Sequence, residues 1–324
     1  MKIGILGAGN IAGVVSKTLV QMKELECFAV ASRSLEKAQA FAAQYGFKKA
    51  YGSYEEMVSD PDVELVYVAT PHSHHFAHVM LALEHGKHVL CEKSFTVNAE
   101  QAEAIRTYAA ERGLYVAEAI WTRYMPSRQM LREILESGVI GSVSTLTANL
   151  SYANSTKERI SQPELAGGAL LDLGVYGLNF ALMQFDGNPD RVESSVMLTE
   201  TGVDGAETIT LMWNDGRMAV LTHSTFARSD RQGILHGDKG YIVVSNINNP
   251  QKISVYDTGD KLLACYDVPR QISGYEYEFL EAIRCIRSGK TESESMPMQE
   301  TIRLMKLMDS LRNSWGICYP AETE

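Results

Sequence analysis

The first half of the chain alternates short apolar runs with stretches of helical pattern. The apolar runs are rich in Val, Ile, Leu and Ala and are continuous, which is typical of strands buried on both faces. One helical stretch opens at Ser34, a favoured N-cap residue, and closes at Gly46. Strand and helix repeated in this way predict a doubly wound parallel sheet. The predicted strands cover residues 2–7, 27–32, 65–70, 88–92 and 115–119.

The pattern changes near residue 142, where apolar and polar positions begin to alternate. The later runs are rich in Thr and are separated by turn signals such as Asn214-Asp215-Gly216. This alternating pattern predicts an antiparallel sheet in a second, α+β domain. Helices are predicted after it, near 275–288 and 298–313. The predicted strands of this domain cover 142–151, 207–213, 217–226, 240–245 and 252–257.

A chain of 324 residues is long enough for about two domains. We predict a nucleotide-binding domain over 1–121 and a second domain over 122–324, with the last helices able to pack back on the first domain. The last helix has an apolar stripe that needs a packing partner, and such a stripe is far more often core than cofactor contact. Its members are Ile302, Met305, Met308 and Leu311.

Composition and charge narrow the class of protein. Hydrophobic residues make up 45% of the chain and charged residues 22%, which is ordinary for a globular protein. The net charge of −10 argues against nucleic-acid binding, which needs basic surface. No apolar stretch approaches the ~20 residues of a membrane span, and the N-terminus runs directly into a strand without room for a signal peptide. Five cysteines without a CxxC motif predict free, buried thiols in a reducing, cytoplasmic compartment.

A glycine-rich turn follows the first predicted strand. In "GILGAGNIAG", Gly7, Gly9 and Ala12 have the spacing GxGxxA between a strand and a helix. Gly7 allows a tight turn, Gly9 lets a pyrophosphate approach the backbone, and Ala12 lets helix and strand pack closely. Asn10 and Ile11 begin the helix, whose N-terminus favours anions. The pattern therefore predicts a dinucleotide site, and the alternative is a glycine-rich turn without a ligand.

The end of the second predicted strand indicates which dinucleotide is bound. An NAD site places Asp or Glu there to bind the ribose 2′-hydroxyl, but this chain has Ser32 and Arg33. Arg33 can bind a 2′-phosphate by charge and by the geometry of its guanidinium, and Lys37 adds a second positive charge. We therefore predict NADP over NAD, with Arg33 as a solvated loop residue as the alternative.

Polar residues also follow two further strands, and two more lie on a later helix. Thr70-Pro71 ends one predicted strand and Glu92-Lys93 ends the next. In a doubly wound sheet these carboxyl ends meet at one edge, where ligands bind. In the second half, Asp172 and Tyr176 are four residues apart and share one face of a helix. The alternatives without a catalytic role are that Asp172 and Tyr176 belong to an ordinary packed helix and that Glu92-Lys93 is a strand end exposed to water.

Five stretches together resemble a known family. They are "GILGAGNIA", "ATPHSHH…A…ALEHGKHVLCEK", "EAIWTRYMP", "GGALLDLGVYG" and "GYEYEFLEAIRCIRSGK", in this order along essentially the whole chain. The chain resembles the glucose–fructose oxidoreductase / inositol dehydrogenase / rhizopine-catabolism (Gfo/Idh/MocA) family of NAD(P)-dependent oxidoreductases. Within that family it is most similar to the dimeric trans-dihydrodiol dehydrogenases and the NADP-dependent D-xylose dehydrogenases. The resemblance implies a Rossmann domain and a C-terminal α/β domain whose large, mostly antiparallel open sheet commonly forms a homodimer.

The resemblance also implies roles for individual residues. The family's Glu-Lys-Pro motif falls on Glu92-Lys93-Ser94, so Lys93 matches the catalytic lysine. Asp172 and Tyr176 match the family's aspartate and the His or Tyr that follows it. Ser94 departs from the family's proline, which would fix φ and favour a cis bond at this bend. The residues predicted to contact the cofactor are Gly7, Gly9, Asn10, Ile11, Ser32, Arg33, Lys37, Thr70, Pro71, His72, His75, Glu92, Lys93, Trp121 and Arg123.

These assignments agree with the chemistry of hydroxyl oxidation. Oxidising a hydroxyl to a carbonyl sends a hydride to nicotinamide and a proton elsewhere, so a base must hold the hydroxyl. We predict Lys93 as that acid/base, Asp172 as the group that orients the substrate or Lys93, and Tyr176 as a hydrogen-bond partner or proton relay. The expected function is a cytoplasmic, homodimeric, NADP-dependent dehydrogenase of a sugar, polyol or vicinal diol, with NAD as the other cofactor considered.

Other functions and sites stay open as alternatives. Some relatives keep the cofactor bound and use transient oxidation to hydrolyse a glycosidic bond, and a non-catalytic NADP sensor is a third class. His74 and His78 are one helical turn apart, but no acidic or Cys partner has ligand spacing, so we expect no metal. Cys91 lies in an apolar strand without a base, which favours a structural thiol. We expect no nucleic-acid or membrane partner.

Overall fold

The computed structural model describes residues 1–322, which form two compact units. The first unit contains Met1–Tyr124 and Gln271–Asp309, together with residues 321–322. The second unit contains Met125–Arg270 and Ser310–Pro320. Each unit is built around its own sheet.

The sheet of the first unit has six strands, and every neighbouring pair is parallel. The strands are β1 (Lys2–Leu6), β2 (Glu26–Ala31), β3 (Lys49–Tyr51), β4 (Leu65–Val68), β5 (His88–Glu92) and β6 (Val116–Ala119). Their order, β3-β2-β1-β4-β5-β6, is that of a doubly wound dinucleotide-binding sheet and confirms the predicted fold class. The sequence pattern missed β3, because its three residues are exposed or half-buried and form no apolar run.

Five helices connect these strands. They are α1 (Asn10–Leu19), α2 (Leu35–Tyr45), α3 (Tyr54–Val58), α4 (His75–Glu84) and α5 (Ala99–Glu111). The ends of α2 follow the predicted signals: the Ser34 hydroxyl accepts the N–H of Lys37 at 3.2 Å, and Gly46 adopts φ 76°. Ile5 and Leu90, in the middle of their strands, are fully buried between the helical layers.

The sheet of the second unit has eight strands in the order β14-β13-β12-β11-β7-β10-β9-β8. They are β7 (Val143–Ser151), β8 (Arg191–Leu198), β9 (Asp204–Met212), β10 (Met218–Ser224), β11 (Gly233–Gly237), β12 (Gly240–Val244), β13 (Lys252–Asp257) and β14 (Leu262–Asp267). All neighbours are antiparallel except β7 and β10, which confirms the mostly antiparallel sheet. The sequence pattern missed β8, β11 and β14. The edge strands β8 and β14 are exposed or half-buried at every residue, and β11 is short with glycine at both ends.

Three helices lie wholly within this unit: α6 (Pro126–Glu136), α7 (Glu158–Ser161) and α8 (Val175–Gln184). Helix α8 packs against β7 and β10 and directly follows a π-helical turn, Leu170–Gly174. The stretch Pro163–Gln184 is long and apolar enough to cross a membrane, but 94% of its most apolar window is buried inside the protein. The prediction that no apolar stretch approaches this length was therefore wrong, and the stretch forms the core of the second unit.

The last two helices are α9 (Glu276–Arg287) and α10 (Met298–Trp315). Phe279 and Ile283 of α9 belong to the apolar cluster that contains Ile3 and Leu90 of the parallel sheet. The apolar stripe of α10 is buried, as predicted. The prediction placed 271–309 in the second domain but allowed the last helices to pack back on the first, and the structure includes this segment in the first unit.

All five cysteines are free, but they are not all buried. Cys91 and Cys285 are buried and Cys27 is half-buried, whereas Cys265 and Cys318 are exposed. The prediction of buried thiols was wrong for these two, because Cys265 lies on the edge strand β14 and Cys318 lies in the terminal loop after α10.

Candidate active site

The loop after β1 has the backbone geometry of a phosphate-binding turn. Gly7 adopts φ 103°, and a Cβ built on it would lie 2.8 Å from the carbonyl oxygen of Ala69, so glycine is required. Gly9 is the N-cap of α1, and a Cβ built on it meets no atom of the described residues within 4 Å. The backbone at Gly9 therefore faces open space beside the N–H groups of Asn10 and Ile11. The first N–H groups of a helix lack intrahelical partners, so this end of α1 can bind an anion.

Two exposed cations follow the carboxyl end of β2. Ser32 is buried, and its N–H donates to the carbonyl oxygen of Tyr51 at 3.1 Å. The next residue, Arg33, is exposed, and so is Lys37 in the first turn of α2. The Ser34 cap fixes where that turn begins. The two side chains together can bind a phosphate dianion by charge.

The segment after β4 is held by two histidines. Thr70 Oγ1 lies 2.9 Å from Nδ1 of His78. The His75 ring is fully buried, with Nε2 and Nδ1 each 2.8 Å from a carbonyl oxygen, of Thr70 and of Ser94 respectively. Burial lowers the pKa of His75 to about 4, so near pH 7 the ring is neutral, carries one N–H and donates to only one of these two carbonyl oxygens at a time. His75 therefore joins the end of β4 to the loop after β5, and its predicted contact with a cofactor stays a prediction.

The histidine-rich turn His72–His74 follows β4, and the side chains around it do not form a metal site among residues 1–322. Pro71 precedes a 3₁₀ turn, His72–His74, and His72 packs edge-on against His75 with ring centroids 5.6 Å apart. His74 and His78 stack at 5.7 Å. Within residues 1–322, no group of three or more His, Cys, Asp or Glu side chains is arranged to hold a metal ion.

Glu92, at the end of β5, is held by its neighbours. Its carboxylate is buried and accepts the hydroxyl of Tyr67 on one oxygen. The other oxygen lies 3.2 Å from the backbone nitrogen of Lys93, whose N–H donates to it. Through these contacts Glu92 stabilises the backbone at the end of β5, next to Lys93. Its predicted contact with the cofactor stays a prediction.

The chain bends directly after Lys93, where the Lys93–Ser94 peptide is cis. The bend that the family's proline would favour is thus present with serine. Ser94 and Phe95 are both fully buried. The N–H of Phe95 donates to Oε1 of Glu118 at 3.2 Å, and the hydroxyl of Thr301 donates to Oε2 at 3.0 Å. Glu118 was not among the predicted site residues, although an acidic residue inside the apolar run "YVAEA" is a signal that it needs buried partners.

Burial raises the pKa of Glu118 to about 7, against the lowering effects of Thr301, the Phe95 N–H, Arg123 and Lys93. A carboxyl whose pKa is raised from 4.5 on folding stabilises the fold fully below pH 4.5 and loses that contribution as pH rises through 7. We expect the unfolding free energy of wild type, relative to Glu118→Gln, to fall by about 3 kcal/mol between pH 4 and pH 8. Urea unfolding of both proteins across this range measures it, and a constant difference would contradict the assignment.

Trp121 and Arg123 lie in a 3₁₀ turn that follows β6. The Trp121 ring stacks on Tyr275 with centroids 4.1 Å apart and planes 7° apart. Arg123 is buried, and its Nη2 lies 3.4 Å from Oε2 of Glu300. Both side chains are thus held in fixed positions at the same edge of the sheet as Lys93, since β5 and β6 are parallel neighbours.

In the second unit, Asp172 lies in the π-helical turn and Tyr176 in the first turn of α8. The sequence predicted a helix here but not its wider π turn, a feature found often at functional sites. Arg159 binds Asp172 with both guanidinium nitrogens, Nη1 to Oδ1 at 2.8 Å and Nη2 to Oδ2 at 3.4 Å. The N–H of Leu170, at the start of the turn, donates to Asp204. The orientation of the Asp172 carboxylate is therefore fixed, while Tyr176 is mostly buried.

The structure thus gathers the predicted residues in two groups. The glycine loop, the cations after β2 and Lys93 follow strands of the first unit, whose carboxyl ends share one edge of the sheet. Asp172 and Tyr176 belong to the second unit, so their action together with Lys93 stays a prediction. Arg159 was missed because a half-exposed arginine in a four-residue helix carries no sequence signal.

Two family models match the chain. Residues 1–119 match the oxidoreductase family with an NAD-binding Rossmann fold, and residues 128–243 match the GFO/IDH/MocA C-terminal domain. Together they cover most of both units.

Characterised relatives are similar over nearly the whole length. The trans-1,2-dihydrobenzene-1,2-diol dehydrogenase of Xenopus tropicalis is 33% identical over 98% of this chain and 99% of its own. The NADP(+)-dependent D-xylose 1-dehydrogenase of Hypocrea jecorina is 36% identical over 99% of this chain and 93% of its own. Among solved structures, the 3-ketoreductase KijD10 of Actinomadura kijaniata, in complex with NADP and TDP-benzene, shares the fold. Its TM-score is 0.87 at 24% identity, over 97% of both chains. The chain therefore belongs to the GFO/IDH/MocA family of oxidoreductases.

Proposed function

We propose that this protein is an NADP-dependent oxidoreductase that transfers a hydride between nicotinamide and the hydroxyl-bearing carbon of a sugar, polyol or vicinal diol. One observation carries the proposal. The open backbone at Gly9, the cations after β2 and Lys93 after β5 all follow carboxyl ends of one parallel sheet, where such sheets bind ligands. The substrate class is supported by two relatives, whose names describe dehydrogenation of a 1,2-diol and of D-xylose, the latter with NADP+.

The residues of the first unit fit NADP. A pyrophosphate needs close approach to the backbone, and the space at Gly9 allows it beside the N–H groups of Asn10 and Ile11. Arg33 and Lys37 would bind the 2′-phosphate, with Ser32 beside them. When bound, the nicotinamide supplies the site that accepts or donates the hydride. That end of the cofactor would be lined by Thr70, Pro71, His72, Trp121 and Arg123.

Side chains of the protein would transfer the proton of the substrate hydroxyl. Lys93 would act as the acid/base that takes the proton of the hydroxyl during oxidation and returns it during reduction. Asp172, aligned by Arg159, would orient the hydroxyl or Lys93. Tyr176 would share the hydrogen bond of the hydroxyl or relay its proton.

A pair of glycine substitutions separates cofactor binding from folding. Gly9→Ala should lower the unfolding free energy by less than about 1 kcal/mol, because its Cβ meets no described atom and alanine is only a weaker N-cap. It should weaken NADP+ binding about tenfold by occupying the space of the pyrophosphate. Gly7→Ala should lower the unfolding free energy by about 1–3 kcal/mol, because its φ is positive and its Cβ meets the Ala69 carbonyl. Calorimetric titration with NADP+ and urea unfolding measure the two effects. Wild-type NADP+ affinity in Gly9→Ala would contradict the placement of the pyrophosphate.

The substrate class is tested with a panel of aldoses, polyols and vicinal diols, each assayed with NADP+ and with NAD+. We expect NADP+ reduction with at least one aldose or diol and a preference for NADP+ over NAD+. If every member of the panel fails in both directions, with the corresponding carbonyl compounds and NADPH included, the proposed activity is wrong.

The finer assignments of assembly and compartment belong to the same proposal. A homodimer through the second sheet is supported by β10, where buried residues such as His223 alternate with half-buried residues and with the exposed Thr222. Sedimentation of the protein, compared with Thr222→Arg, tests this interface. A cytoplasmic location is supported by five free cysteines, since reducing compartments keep thiols unpaired.

A further inference from the structure

We propose that Glu118, together with Thr301 and His75, is a positioning residue that fixes the backbone bend on which Lys93 stands. This inference rests on the proposed function, in which Lys93 is the acid/base. None of the three need touch the substrate, because they would act through the backbone.

The contacts converge on one peptide group. The carbonyl of Ser94 and the N–H of Phe95 are the two polar ends of the peptide that joins these residues. Nδ1 of His75, from α4, lies 2.8 Å from that carbonyl oxygen, and Oε1 of Glu118, from β6, accepts that N–H at 3.2 Å. Side chains from two different elements therefore fix the plane of this peptide from both sides.

Each of the two side chains is itself held. The single N–H of the neutral His75 ring is assigned to Nδ1, which donates to the Ser94 carbonyl, while Nε2 packs 2.8 Å from the carbonyl oxygen of Thr70, just after β4. Oε2 of Glu118 accepts the hydroxyl of Thr301, from α10, at 3.0 Å. His75, Glu118 and Thr301 are all buried, so water does not compete for these hydrogen bonds. The orientation of the peptide is thereby tied to β4, β6 and α10.

Lys93 lies between the Ser94–Phe95 peptide and the Glu92–Lys93 peptide, which is also held by a hydrogen bond. Its own N–H donates to the Glu92 carboxylate, which Tyr67 holds from the other side. Position 94 is serine, whose φ is free in the chain itself, whereas proline would fix φ covalently. In this protein the contacts of His75 and Glu118 with the Ser94–Phe95 peptide would restrain the backbone instead. The direction of the Lys93 side chain would depend on that restraint. A displacement of about 1 Å in a catalytic group can lower the rate about a hundredfold.

The test compares Glu118→Ala with Glu118→Gln in the full-length protein with NADP+ and D-xylose. Glu118→Ala should lower kcat about a hundredfold with KM values near wild type, because the loss is one of alignment. Glu118→Gln keeps an oxygen that accepts the Phe95 N–H and should recover most of kcat. Asp60→Ala is the matched control, because Asp60 is a buried carboxylate at the amino end of the same sheet, bound to Lys49 and Tyr51. It should lose stability and keep kcat.

A second readout needs no substrate. The rate at which acetic anhydride acylates Lys93, relative to exposed Lys23, is measured by peptide mass spectrometry in the protein without cofactor. We expect this ratio to change in Glu118→Ala and to match wild type in Glu118→Gln. If Glu118→Ala does not fold, Thr301→Val removes only the hydroxyl that holds Glu118 and should shift both readouts in the same direction.

The outcomes separate the inference from the proposed function. Wild-type kcat and Lys93 reactivity in Glu118→Ala would overturn the inference, as would equal losses of kcat in Glu118→Ala, Glu118→Gln and Asp60→Ala. In Thr301→Val, wild-type values of both readouts would overturn it as well. Undiminished turnover in Lys93→Ala would overturn the role of Lys93 as acid/base, on which the inference rests, whatever the Glu118 variants do. Failure of the whole substrate panel would overturn the proposed function.

Discussion

Replacing Lys93 by alanine is expected to lower kcat about a thousandfold while the KM for substrate and the Kd for NADP+ stay near wild type. General acid–base catalysis contributes about 10²–10⁴ to rate, and Lys93 would be the only group assigned to receive the proton directly. Steady-state kinetics with NADP+, combined with calorimetric titration of the cofactor, separate chemistry from binding.

The matched control for this substitution is Lys23→Ala, which removes an exposed lysine from the same unit without altering the sheet edge. It should show wild-type kcat. A Lys93→Ala protein with the turnover of Lys23→Ala would remove Lys93 from the mechanism, and the proton would then need another acceptor.

Replacing Arg33 by aspartate is expected to lower kcat/KM for NADP+ about a hundredfold and to leave kcat/KM for NAD+ at or above wild type. The guanidinium would form charge-assisted hydrogen bonds with the 2′-phosphate, each contributing about 1.5–3 kcal/mol. An aspartate in its place repels the phosphate but can accept the 2′-hydroxyl of NAD+. Kinetics with both cofactors measure the ratio.

Lys23→Asp is the control for charge, because it makes the same change at another exposed position of the first unit. Its cofactor preference should equal that of wild type. If Arg33→Asp retains the wild-type preference, Arg33 is a solvated loop residue and the selection of cofactor lies elsewhere.

The parallel sheet could be predicted from sequence because its strands are buried on both faces. Strands such as β1 and β5 appear as continuous apolar runs, and the doubly wound topology follows from the helices between them. Strands β8 and β14 could not be found in the same way. They lie at the edges of the second sheet, where no apolar face is required of them.

The same physical distinction applies to the candidate site. Lys93 and the glycine loop could be located because chain order and the parallel topology place strand ends at one edge. Glu118 and Arg159 could not, because their importance comes from hydrogen bonds to residues 23 and 13 positions away, which no local pattern encodes. The units were also harder to delimit than the sheets, since α9 lies far along the chain but packs into the first core.

The central claim is that a hydride moves from the substrate's carbon to NADP+. The most direct measurement uses D-xylose with deuterium on every carbon, and a vicinal diol deuterated at its hydroxyl-bearing carbons, each incubated with NADP+. The mass of the reduced cofactor is then determined. We predict reduced NADP that carries deuterium from at least one of these substrates, at a rate that Lys93→Ala lowers about a thousandfold. Reduced cofactor that carries no deuterium from any of these substrates would contradict it.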